Sequence, residues 1–293
     1  MEGAKNSSWG LHSSLFRKLA EHNGVIWPGA SASPAKQPFP TEDQMNYAEA
    51  WMIGEARSRW RLDNLGALEI LARLQHYGAP TRLIDVTMNP YIAAWFAVEA
   101  ETSTEEYEGR LFAIATGPVS KSGEDLNMDQ TQIRVSDYEN GPLPFWHHFE
   151  GKEERIHQNW GTGSQRRIWV PPAYDPRIVA QNAAFVLDGV PITSKGTAPY
   201  FTFATNVYLS RADNLASSSI YARVQNPSNK ARVLKSNLAP TFSWRITSEG
   251  KKDIRRALER IFNYTFATIY PDNAGLGMYI NSHLVDHVDK LSS

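Results

Sequence analysis

The sequence predicts an α+β fold: a single mixed domain over residues 1–293, with a split β core, flanking helices and loop insertions. Three observations lead there. Helical periodicity is clear at Thr41–Arg61, Leu65–His76 and around Ser248–Phe262. Short β-branched or aromatic runs lie between these helices, at Thr81–Thr87, Arg110–Ala115, Ile168–Val170, Asn182–Leu187 and Phe242–Ile246. No internal repeat and no low-complexity linker divides the chain.

The elements follow in order. Trp9–Lys18 opens the ordered domain, with Leu15, Phe16 and Leu19 on one helical face. Residues 28–40 are loop by their Pro, Gly and Ser content. Thr41 and Gln44 have capping-box spacing, and Gly78 and Pro80 end the second helix after His76. Asn89 and Pro90 start a third helix, Tyr91–Glu101, which is almost wholly apolar and therefore expected to be buried. Residues 116–165 are polar and Gly-rich, and are expected to form an insertion or lid. Residues 188–230 read as irregular loops with short strands. Ser248 is placed as the cap of an amphipathic helix, with Ile254, Ala257, Leu258, Ile261 and Phe262 inside and Lys251, Lys252, Arg255 and Arg256 outside. Phe266–Tyr270 reads as a last strand, turned by Pro271-Asp272-Asn273.

Composition narrows the chemistry. Hydrophobic residues make up 42% and charged residues 21%, as in ordinary globular proteins. With no cysteine there is no disulfide, no thiolate nucleophile and no cysteine-based zinc site. The 30 basic and 31 acidic side chains leave a net charge of -1, which argues against a dedicated phosphate-gripping module. Nine tryptophans are many for this length and suit either a core or base stacking. No apolar run reaches the roughly 20 residues of a membrane span, and the first residues lack a signal pattern. A cytoplasmic protein without membrane contact is expected.

The densest polar chemistry lies in Leu74-Gln75-His76-Tyr77-Gly78-Ala79-Pro80-Thr81-Arg82-Leu83-Ile84-Asp85-Val86-Thr87-Met88-Asn89-Pro90. This helix–turn–strand–turn–helix unit resembles the signature of the FRG domain family, "QHYG-PTRLLDWT-NP". The resemblance continues at Asn6–Arg17, at Arg177–Phe185 ("R-aaQ-G-F", with Ala183 where Gly is usual) and at Ala267–Leu276 ("atlfPDldGl"). The (Phe/Tyr)-Arg-Gly triplet that names the family falls on Met1-Glu2-Gly3, so its arginine is replaced by Glu2.

The layout of this family is similar, at the level of fold, to ADP-ribosyltransferases. That likeness implies NAD as substrate, with ADP-ribose passed to a nucleic acid or protein acceptor. It assigns Arg82, Asp85, Thr87 and Gln181 to catalysis, Gln181 in the third-strand role. It assigns His76, Tyr77, Thr81 and Asn89 to holding NAD, Tyr77 by stacking. It also implies a toxin of a toxin–antitoxin or anti-phage defence system, neutralised by an antitoxin protein. The rival is a non-enzymatic nucleotide- or partner-binding module that has lost the family arginine. Structural roles compete at each position: His76 at a helix C-terminus, Arg82 and Asp85 as an ion pair, Thr87 and Asn89 as turn and cap. Arg82 and Asp85 are expected within reach of each other or of a shared ligand, with Gln181 facing the same cleft as Thr87.

The cluster Trp146-His147-His148-Phe149-Glu150, with Glu153, Glu154 and His157, lacks HExxH spacing, and no metal site is expected. Glu150 or Glu154 remains a candidate carboxylate. Dehydrogenase, P-loop and hydrolase-elbow motifs are absent.

Overall fold

The computed structural model describes residues 1–6, 9–26, 37–101, 103–118, 140–195, 211, 215–216, 218–228 and 238–289. Most of the 28–40 loop, residues 119–139 of the expected insertion and much of the 188–230 loop region lie outside the described residues.

The fold is α+β with a split β core. Strands β1 (Glu2–Ala4), β3 (Gly109–Ile114), β7 (Pro240–Ile246) and β6 (Arg223–Gln225) form one sheet in the order β1-β3-β7-β6. It is antiparallel except for the parallel β6–β7 pair. Strands β2 (Ile84–Thr87), β5 (Ala183–Leu187) and β4 (Arg167–Trp169) form a second, antiparallel sheet in the order β2-β5-β4. The two sheets touch where β1 meets β2: Thr87 N donates to Met1 O at 2.8 Å, and the Met1 amine donates to Thr87 O at 2.6 Å.

Helix α4 (Pro90–Val98) carries β1 on its back. Asn89 Oδ1 caps it by accepting from Tyr91 N at 2.9 Å, and Pro90 fits its first turn. Its all-apolar sequence is explained by burial: Ile92, Ala93, Trp95, Ala97 and Val98 are all inside. Gly3 permits the close approach of β1, because a Cβ there would stand 2.0 Å from Ala93 O and 2.7 Å from Ala97 N.

The remaining core lies under helices α1 (Ser14–His22), α2 (Glu42–Trp60) and α3 (Ala67–His76). The Thr41–Gln44 capping box forms as its spacing predicts, and Gly78 takes the left-handed φ of +85° that stops α3. Strand β2 starts at Ile84 rather than Thr81, since Thr81 Oγ1 accepts from Leu83 N at 3.2 Å and Arg82 turns inward.

Arg82 is 3% exposed and lies inside an ion network. Its Nη1 donates to Glu42 Oε1 at 2.5 Å, its Nε to Glu49 Oε1 at 2.8 Å, and its Nη2 to Asn46 Oδ1 at 2.8 Å. Two indoles complete the cage. Trp146 Nε1 donates to Glu49 Oε2 at 2.8 Å and Trp160 Nε1 donates to Glu42 Oε1 at 2.9 Å. Their rings stack 5.1 Å apart at 13°, with the guanidinium 5.4 and 5.7 Å from the two ring centres. Burial opposes every charge here, yet the pairing outweighs it. Glu49 is held below the usual carboxylate range and Arg82 above its own.

Residues 140–165 therefore correct the expectation of a lid. Phe145, Trp146 and Trp160 sit at the centre of the main core, each at most 1% exposed. The 3₁₀ turn Phe145–His148 and helix α5 (Gly151–His157) bring them there. Polar flanking residues and glycines gave no sign of this buried aromatic pair within the expected insertion or lid.

Two C-terminal expectations also change. Helix α7 (Ser248–Phe262) is capped by Thr247, not Ser248, and its inner face is turned toward Lys251, Ile254 and Leu258. Lys251 is fully buried, with Nζ donating to the carbonyls of Lys5, Thr104 and Tyr107 at 2.8, 2.9 and 3.1 Å. Ile261 and Phe262 are exposed instead. Phe266–Tyr270 is no strand: Thr265 and Thr268 form a capping box that opens helix α8 (Phe266–Ile269), and α9 (Asn273–Asp289) follows. Among the described residues no helix is long and apolar enough to cross a membrane.

Removing the cation from this cage strands two buried carboxylates. Arg82→Ala should therefore lower the unfolding free energy by about 3–5 kcal/mol, read as an earlier urea midpoint. A midpoint shift worth under about 0.5 kcal/mol would show the network to be dispensable.

Candidate functional site

The last turn of α3 presents Gln75 and His76. Gln75 divides its amide between two residues of the next segment. Its Nε2 donates to Asp85 Oδ2 at 2.5 Å, while its Oε1 accepts from the Thr81 hydroxyl. Asp85 is the one exposed residue of β2, between buried Ile84 and Val86. Solvent reaches its carboxylate, yet enough protein surrounds it that desolvation raises its pKa to about 6. Gln75, its own backbone amide, Arg177 and Arg17 all pull the other way and only moderate the rise.

Arg177, on helix α6 (Pro176–Ala180), is close enough for its charge to act on Asp85. Its Nε and Nη2 form a bidentate pair with Asp272, both bonds 2.8 Å. Its guanidinium lies 5.0 Å from the centre of the Tyr270 ring. Burial raises the Tyr270 phenol above its ordinary range, and the nearby charge of Glu99 pushes the same way. Glu99 is raised by its own burial, against a 3.0 Å ion pair with Lys5.

On the other side of Arg177 stands His76. Its Nε2 lies 3.6 Å from an oxygen of Asp175 and 3.6 Å from one of Asp272. Burial and the charge of Arg177 lower the pKa of its imidazole, and the two aspartates only partly offset this. The Tyr77 ring meets His76 edge-on at 5.0 Å and is 75% exposed. A recess lined by Arg73, His76, Tyr77, Tyr174, Asp175 and Ile178 opens here.

The structure thus divides the residues singled out from the sequence. His76 and Tyr77 line this recess, and Asp85 is exposed on β2, bonded to Gln75 next to His76 in the chain. Arg82 does not meet Asp85. It points into the α2 cage while Asp85 bonds to α3, as i and i+3 positions of an extended segment dictate. Their expected shared ligand is overturned. Thr81 is fully buried and holds Gln75. Thr87 and Gln181 are neighbours: the Thr87 hydroxyl donates to Gln181 O at 2.8 Å and accepts from Asn89 N at 3.0 Å. Gln181 is the C-cap of α6, just before β5, and its Nε2 donates to Ile269 O at 3.2 Å. Asn89 is committed to its cap and to the Tyr264 hydroxyl at 2.9 Å. Glu154 accepts from Gln158 at 3.0 Å, and Glu150 is exposed at the start of α5.

Sequence reasoning missed Gln75, Asp175, Arg177 and Asp272 as a group. A signal was present. Arg177 and Asp272 stand in the two later family-like segments, and their pairing is what brings those segments together.

No curated protein and no solved structure matches this chain. Its residues 2–106 match the family model of the FRG domain. The match runs from β1 through α4 and takes in Gln75, His76 and Asp85, while Arg177 and Asp272 lie beyond it. The matched segment supplies Arg82 with its partners Glu42, Asn46 and Glu49, and also the bonded pair Gln75 and Asp85.

Proposed function

We propose that this chain is an ADP-ribosyltransferase-like effector. It cleaves NAD at Asp85 and passes ADP-ribose to a nucleic acid or protein. Its setting would be a toxin–antitoxin or anti-phage defence system, with an antitoxin protein as neutralising partner. The observation that supports the reading is Asp85 itself: an accessible carboxylate with its pKa raised to about 6, oriented by Gln75.

The chemistry asks little more of the protein than placed charge. The bond from the ribose C1′ to the nicotinamide nitrogen breaks, and its electron pair leaves with nicotinamide. Positive charge develops on the ribosyl carbon, where ionised Asp85 stabilises it. An acceptor oxygen or nitrogen then bonds to C1′, and Asp85 takes the released proton. Tyr77, exposed beside His76, stacks on the nicotinamide ring. Arg17 is exposed on α1 and close enough for its charge to act on Asp85. In this reading it meets the NAD diphosphate and stands in for the arginine replaced by Glu2. Arg82 has no part in the reaction.

The binding-module reading is favoured by Glu2 alone. Incubation with NAD, followed by chromatography for nicotinamide and a thermal-shift assay, separates the two. Stabilisation by NAD with no nicotinamide would leave a binding module. Absence of both effects would remove NAD from either reading.

If the enzyme reading holds, Asp85→Asn should lower nicotinamide release by about 100-fold or more. Wild-type turnover should fall as pH drops through about 6, because protonation removes the stabilising charge. An unchanged Asp85→Asn rate would remove the carboxylate from the mechanism.

The same group should cost stability. Its folded-state pKa is raised from 3.8 to about 6, so its contribution to stability is full below the lower value and is lost as pH rises to the upper one. Thermal melts should find Asp85→Asn more stable than wild type at pH 8, with the gain shrinking as pH falls from 6 toward 4. Equal melting temperatures at pH 8 would argue that Asp85 is not enclosed.

A further inference from the structure

We propose that His76, Asp175 and Asp272 form a binding site for a divalent transition-metal cation. The three come from separate elements: the end of α3, the N-cap of α6, and the turn between α8 and α9. They converge without bonding to one another, since 3.6 Å from His76 Nε2 to each aspartate is too long for a hydrogen bond.

The spacing suits an ion. Their ligand atoms all lie within 4.8 Å of one another. With 3.6 Å from His76 Nε2 to each aspartate oxygen and no pair beyond 4.8 Å, a point exists no more than about 2.4 Å from all three atoms, close to metal–nitrogen and metal–oxygen bonds of about 2.0–2.2 Å.

The carboxylates are already oriented. Asp175 Oδ1 accepts from Arg177 N at 2.8 Å, and Asp272 Oδ1 accepts from Gly275 N at 2.7 Å. The Oδ2 atoms are the ones that face His76, that of Asp272 while it also accepts from Arg177 Nε at 2.8 Å. Such anchoring of ligands by neighbouring groups is what holds metal sites in shape.

A second observation is independent of the ligand set. The recess beside His76 and Asp175 is also lined by Tyr174, whose hydroxyl oxygen is buried and has no hydrogen-bond partner among the described residues. A water on the bound metal supplies that partner.

The donor set selects the cation class. One imidazole and two carboxylates suit Zn²⁺, Mn²⁺ or Fe²⁺, whereas Mg²⁺ and Ca²⁺ prefer oxygen alone. Arg177, paired with Asp272, neutralises one of the two negative charges and moderates the affinity.

The test is titration of the untagged full chain with Zn²⁺ by calorimetry, and with Co²⁺ followed by visible absorption. The variants are His76→Gln and Asp175→Asn. Asn still accepts from Arg177 N, so the helix cap survives that change. His157→Gln serves as a surface control. The expected result is one saturable site in wild type and His157→Gln, with binding weakened roughly tenfold or more in both ligand variants. The Co²⁺ absorption should show nitrogen ligation that disappears in His76→Gln. Metal-free melting temperatures of the two ligand variants identify any that fail to fold, and either folded variant suffices. Absence of a saturable site in wild type overturns the proposal. So does binding that persists unchanged in a folded ligand variant, which would locate the metal on surface histidines.

Discussion

The guanidinium of Arg82 is the constraint around which the rest of the fold is arranged. It is a buried cation shared by two buried carboxylates, both on α2. Those carboxylates then recruit the indoles of Trp146 and Trp160 and the backbone of Val190. A single charge thus ties together the segment before β2, one face of α2, the 140–165 region and the loop after β5. An ion group of this kind is strongly destabilising when broken, even where an apolar core would have been equally stable. Its value here is geometric: it accepts only one arrangement of its partners.

That arrangement explains why the polar signature around Thr81–Asn89 is so dense. Arg82 organises the interior. Thr81 fixes Gln75, Thr87 fixes the carbonyl of Gln181, and Asn89 caps α4. Each satisfies a backbone or side-chain group that would otherwise be stranded in the core. Asp85 differs from them. It faces solvent, bonds only to a neighbouring amide among side chains, and has its charge disfavoured by its surroundings. In a segment otherwise fully satisfied, that departure is what makes Asp85 the residue on which the proposed chemistry is centred.

Much of the fold was legible in the sequence because its signals are local. The Thr41–Gln44 box, the Gly78 stop and the Asn89–Pro90 start act within a few residues, and all three appear as read. Signals that depend on distant partners were misread. Lys251 looked like a solvated residue because nothing nearby in sequence announces the three carbonyls that receive it. Trp146 and Trp160 were read as part of an insertion or lid because their acidic partners lie about a hundred residues earlier on α2. Phe266–Tyr270 has the apolar content of a strand, and only the Thr265–Thr268 cap gives away the helix. The candidate site followed the same rule. Asp85, His76 and Tyr77 were visible within one motif, whereas Arg177 and Asp272, 95 positions apart, become a unit only through their pairing.

The stacked Trp146–Trp160 pair gives the molecule an internal reporter. Both indoles are fully buried and donate their N–H groups to the carboxylates that hold Arg82. Their fluorescence therefore reports a dry, charge-structured interior. Water entering the cage would red-shift that emission, whereas Trp51 and Trp60, exposed on the outer side of α2, already emit from a wet environment and register little change. The protein's own spectrum can thus separate loosening of its centre from fraying of its surface.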